Sequence, residues 1–159
     1  MKAMKRATLF AAALLFLLAA VSTAAAAGKK FSAQLTGGDE VPAVQTRATG
    51  KAMVDVEEKG KELRYMVHVK DITGPTMAHI HLAPAGQNGP PVVNLLKKHV
   101  KAGKFSGMLA RGKITAKDLI GPMKGKTVGD LIKEIEAGNT YVNVHTKAHP
   151  DGEIRGQLK

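Results

Sequence analysis

Three histidines on two well-separated segments carry the chemistry this chain can offer. His79 and His81 alternate with apolar residues in Met77-Ala78-His79-Ile80-His81, and His145 does so in Tyr141-Val142-Asn143-Val144-His145-Thr146. Alternation of this kind reads as β-strand. Residues two apart in a strand point to one face, roughly 6.6 Å from each other at about 3.3 Å rise per residue. His79 and His81 therefore share one face while Ile80 and Leu82 take the other. Val142 and Val144 form a core face, which leaves Tyr141, Asn143 and His145 opposite. Neutral imidazole is a good ligand for copper, zinc and nickel, so three that converge make a metal site, with an anion site as the alternative.

Four further residues border this set. Met77 falls on the face of His79 and His81, and a thioether beside imidazoles favours Cu(I), although a methionine there also serves as ordinary packing. His149, before Pro150 in a turn, is a candidate fourth ligand or a solvated turn residue. Glu153 and Arg155 lie two apart on a late strand. They read as an Arg–carboxylate bridge that fastens the strand, or as an anion site beside His145. His68 falls on a partly exposed strand face, and His99 sits among lysines. The carboxylate pairs Asp39-Glu40 and Glu57-Glu58 lie in turn-like stretches and read as solvated. Ser32 and Ser106 lack a nucleophile-elbow context, and neither a phosphate-binding glycine loop nor a dinucleotide fingerprint is present. The residues thus favour a binding domain over an enzyme.

The elements that must position these side chains follow from the rest of the chain. Met1 to Arg6 is basic, Ala7 to Val21 is continuously apolar, and Ser22 to Ala27 offers small residues for cleavage. This is the pattern of a signal peptide over residues 1–27, too short in its apolar part for a membrane span, and it predicts export to the periplasm or beyond. Residues 28–159 then form one domain without a second membrane-spanning stretch. Cysteine is absent, so no disulfide holds that domain.

Within 28–159 the net charge is +8, and all of it falls between Lys97 and Lys133, where ten basic residues face only Asp118 and Asp130. Such a stretch could attract an anionic polymer or an unidentified protein. Its lysines are dispersed and lack interleaved aromatics, which favours a solvated face and argues against nucleic acid.

Strand signals alternate with turns: Phe31–Leu35, Ala48–Val56 and Glu62–Val69 as a hairpin, Thr76–Leu82, Val92–Leu96, Phe105–Ile114, Thr140–Thr146 and Glu153–Leu158. Thr127-Val128-Gly129-Asp130 predicts the capping box of a short helix carrying Leu131, Ile132 and Ile135, closed by Gly138. The fold class is all-β, an antiparallel Greek-key β-sandwich or barrel with one short helix in a late loop.

Several stretches together resemble the CHRD (chordin-type) domain. They are Leu35 to Pro42 followed by Ala48-Thr49-Gly50, then Ala78 to His81, Gly86 to Pro90, Gly138 to Thr146 and Gly152 to Leu158. The resemblance covers nearly all of 28–159. It implies an extracytoplasmic β-rich domain, found singly in bacteria and in tandem within animal extracellular antagonists of growth factors, and it implies no particular activity. A more distant likeness to copper,zinc superoxide dismutase implies copper ligands at His79, His81 and His145 and an anion-guiding role for Arg155. The dismutase's histidine-rich zinc loop and its cysteine pair have no counterpart here. The resulting expectation is a non-catalytic binding protein with copper as the first ligand and zinc as the second. The alternatives are an interaction module for a protein or polyanion in which the histidines are structural, and a copper redox enzyme.

Overall fold

A computed structural model describes residues 28–97 and 102–159. The expected signal segment and His99 lie outside the described residues. Eight strands run in chain order as β1 (Lys30–Thr36), β2 (Thr49–Glu57), β3 (Glu62–Thr73), β4 (Pro75–Leu82), β5 (Pro91–Asn94), β6 (Lys104–Ile114), β7 (Thr140–Thr146) and β8 (Ile154–Gln157), with one helix, α1 (Val128–Glu136), between β6 and β7.

All strands belong to one sheet, in the order β5-β4-β7-β8-β1-β2-β3-β6, and every pairing is antiparallel. Consecutive strands β3 and β4 lie near opposite edges, so the chain crosses over there instead of forming a simple meander. The sheet curls into a nearly closed barrel, and of the expected sandwich or barrel it is the barrel that forms. Period-two alternation drives this curl, because each strand buries one face. Phe31, Ala33 and Leu35 of β1, Val54 of β2, Leu63, Val67 and Ile72 of β3, Ile80 of β4, Val142 and Val144 of β7 and Ile154 of β8 meet in a single core. Aliphatic residues dominate it, as the scarcity of aromatics predicts.

Edges β5 and β6 are not paired with each other. Across the gap the Tyr65 hydroxyl of β3 donates to the Leu95 carbonyl just beyond β5, at 2.7 Å. Gly112, opposite Tyr65 in the register, makes room for this reach, since a β-carbon there would lie 2.9 Å from the hydroxyl. Tyr65→Phe should cost about 1–2 kcal/mol in urea denaturation, because it leaves a buried carbonyl unpaired without creating a cavity.

The helix forms where its capping pattern places it. Thr127 accepts from the Asp130 amide and Asp130 accepts from the Thr127 amide, satisfying donors that the first turn would leave free. Gly138 takes φ +73° after the last turn. Val128, Leu131 and Ile135 are buried against the core.

Candidate metal centre

The face of β4 and β7 away from the core carries all three histidines. In the register, His79 lies opposite Asn143, His81 opposite Tyr141 and His145 opposite Met77. Adjacent strands thus bring the three imidazoles together, with their ligand nitrogens all within 4.8 Å of one another. Ring centroids are 4.9 Å apart for His79 and His145, 5.4 Å for His79 and His81, and 5.8 Å for His81 and His145. The alternation that defines the core face on Ile80, Val142 and Val144 is the same alternation that defines this site.

Two loops cover the histidines and fix their protons. His81 Nδ1 donates to the Gly89 carbonyl at 2.8 Å, and His145 Nδ1 donates to the Pro150 carbonyl at 2.9 Å. A carbonyl can only accept, so in each neutral ring the lone pair is left on Nε2. His79 Nδ1 lies 3.1 Å from His145 Nε2 and donates to it, a hydrogen bond that an ion held by both rings must replace. His81 Nε2 is buried and has no hydrogen-bond partner. A buried acceptor without a partner costs free energy unless something binds it.

The electrostatics favour neutral rings. Burial, reinforced by the neighbouring His145 and His81, depresses the His79 pKa to about 4. Burial also lowers His81, where the hydrogen bond to Gly89 opposes and Arg155 assists. For His145 burial outweighs the raising influence of the Pro150 carbonyl and Asp151. All three are deprotonated near neutrality, the state a metal requires.

The other sequence candidates fall around this centre. Met77 is exposed and shares with His79, Asn94, Leu96, Lys97 and Asp118 the lining of an open cavity of about 390 Å³. His149 is half-buried in the loop after β7, where its amide donates to the Thr146 hydroxyl, and it is not among the converging histidines. Glu153 is buried and accepts from the Thr46 and Thr146 hydroxyls, both at 2.7 Å, so it fastens the loop after β1 to β7. Arg155 is buried and donates to the carbonyls of Asp39 and Gln87 and to the Asn88 side chain. Its nearest carboxylate is Glu40, at 3.9 Å, and not Glu153.

Of the expected solvated pair Asp39-Glu40, Asp39 is exposed and Glu40 is corrected by this packing. Glu40 is only 7% exposed, held among Arg155, Asn143 and Gly152. Burial outweighs Arg155 and raises its pKa to about 7. Tyr141 was visible in sequence as a neighbour, but its role was not. Its ring stacks on His81 at 4.9 Å with 13° between planes, its hydroxyl accepts from the Gly89 amide, and the Arg155 guanidinium lies 4.7 Å from its centroid.

Half of the eight basic residues described in this stretch are paired with a nearby carboxylate. Lys97 pairs with Asp118, Lys104 with Asp71, Lys113 with Glu62 and Lys133 with Asp130. Exposed pairs of this kind contribute little to stability, and they suit a solvated face. Among the described residues, no helix is long and apolar enough to cross a membrane.

Comparison with known proteins gives one family and one relative. Residues 31–158 match the family model of the CHRD domain. Chordin of Xenopus laevis is 28% identical over 138 residues, an alignment covering 82% of this chain and 13% of that protein. The chain thus spans about an eighth of the length of this curated relative. No solved structure matches.

Proposed function

The chain belongs to the CHRD domain family, and we propose that it acts as an exported, non-catalytic binding module whose ligand is a metal ion held by His79, His81 and His145. Copper is the first choice and zinc the second, because both accept neutral imidazole. The observation that carries this reading is the buried, unpartnered Nε2 of His81, beside the imidazoles of His79 and His145, which burial keeps neutral. The carbonyls of Gly89 and Pro150 supply the outer hydrogen bonds that commonly orient metal-bound histidines.

Among the described residues the three histidines form the one group of this kind, which supports a single ion over a bridged pair. A copper redox activity would need substrate access at the half-buried His79, the most exposed of the three. The second reading is an interaction module for a protein or polyanion, in which His81 and His145 only clasp the loops. Chordin, as a relative of several-fold greater length, is consistent with either.

Calorimetric titration of chelator-stripped 28–159 protein with copper and zinc decides between them. The metal reading expects one ion per chain and a higher melting temperature, since a ligand that binds only the folded state stabilises it. No saturable binding, with melting indifferent to chelator, would leave the interaction module.

A further inference from the structure

Resting on the metal reading above, we infer that this centre selects Cu(I) over Cu(II) and Zn(II), and that Met77 receives the ion at the mouth of the cavity beside His79. Four observations on separate parts of the molecule converge on it.

The ligand set carries no charge. The converging group consists of three imidazoles, without a carboxylate or thiolate among them. Whatever ion binds keeps its full positive charge inside the protein. The cost of moving an ion out of water grows with the square of its charge, so a divalent ion pays about four times as much as a monovalent one of similar size. His81 and His145 are buried to 8% and 5% exposure, which makes that difference count.

The fixed charges nearby do not compensate. Arg155 lies over Tyr141, which stacks on His81, so a buried cation lies behind the centre. The carboxyl group buried with it, Glu40, sits 3.9 Å from Arg155 and beside Asn143. On the solvent side, Asp118 is engaged by Lys97 at 2.8 Å. Asp151 in the loop over His145 is the acid left to act on the centre, and it is exposed.

Coordination number points the same way. Three nitrogens suffice for Cu(I), whereas zinc at a three-histidine site takes a fourth ligand, commonly water, which here must come from the open side at His79. His149, the sequence candidate for that position, is not among the converging groups.

The entrance is soft. Met77 is 42% exposed, an unusual placement for a large apolar side chain in this protein, and it lines the open cavity into which His79 also faces. Thioether ligands select Cu(I). A flexible, exposed thioether next to the most exposed imidazole forms a first landing point from which the ion passes to the buried pair.

The test uses the 28–159 protein under anaerobic conditions with ascorbate. Bicinchoninate competes for Cu(I), and calibrated chelators compete for Cu(II) and Zn(II). Cu(I) should bind at least about a hundredfold more tightly than Zn(II), a difference of roughly 2.7 kcal/mol. Met77→Leu should slow stopped-flow uptake of Cu(I) about tenfold and leave Zn(II) uptake and the circular dichroism spectrum unchanged. Zn(II) binding as tightly as Cu(I) at the histidines would overturn the selectivity and leave the metal reading standing. Cu(I) uptake unchanged in Met77→Leu would overturn the role of Met77. Absence of binding by all three ions would overturn both this inference and the metal reading.

Discussion

His79→Ala abolishes metal-induced stabilisation and barely changes the metal-free protein, whereas His81→Ala damages both. This asymmetry follows from what each ring touches. His79 bonds only His145, so truncating it removes a ligand and clamps no loop less firmly. His81 holds the Gly89 carbonyl and stacks on Tyr141, whose hydroxyl binds the Gly89 amide. Its loss frees the loop that also carries the acceptors of Arg155 at Gln87 and Asn88. For His79→Ala we expect metal-free stability within about 1 kcal/mol of wild type, the usual scale for a half-buried side chain with one neutral hydrogen bond. With metal at about a hundred times its dissociation constant, wild type gains about 2.7 kcal/mol, and the variant gains none. For a domain of this size that is about 10 °C in scanning calorimetry. If the histidines were only structural, the metal-dependent difference would vanish. His79→Ala would be silent in every condition, and metal would shift neither protein.

Much of this site was legible because it depends on a local rule. Alternation in β4 and β7 assigns a face to each histidine without knowledge of the fold, and the antiparallel neighbourhood of the two strands does the rest. The same rule put Ile80, Val142 and Val144 on the core face and set the strand boundaries to within a residue or two at most elements, β3 running on to Thr73 beyond the expected Val69. It could not reveal Glu40. That side chain is buried by Arg155, Asn143 and Gly152, more than a hundred positions away, and its own neighbours Gly37, Gly38 and Pro42 read as an exposed turn. The partners of Glu153 were hidden in the same way. Its spacing from Arg155 suggests a shared face, but β8 begins only at Ile154, and Glu153 turns instead to two threonine hydroxyls. Partner choice among buried polar groups is set by which loops the barrel brings together, and no sequence period encodes it.

That buried carboxyl produces the second large effect, a pH response that one substitution makes steep. His79 titrates at about 4 in the folded protein against 6.5 when unfolded. Between those values the unfolded chain binds more protons, so acidification destabilises the fold, and His81 and His145 act in the same direction. From pH 7.5 to 5 the loss through His79 alone is on the order of 2 kcal/mol. Glu40 opposes it. Its pKa is about 7 when folded and 4.5 when unfolded, so the folded state binds the extra proton and acidification stabilises it over the same window. Its contribution is also on the order of 2 kcal/mol. The two terms largely cancel in the metal-free wild type, leaving a shallow decline from His81 and His145. Glu40→Gln removes the compensating term while preserving the shape and one polar contact with Asn143. Its urea midpoint should therefore fall steeply from pH 7.5 to 5, while His79→Ala should hold or gain stability on acidification. Parallel profiles for wild type and Glu40→Gln would show that Glu40 is ionised throughout, with Arg155 outweighing its burial.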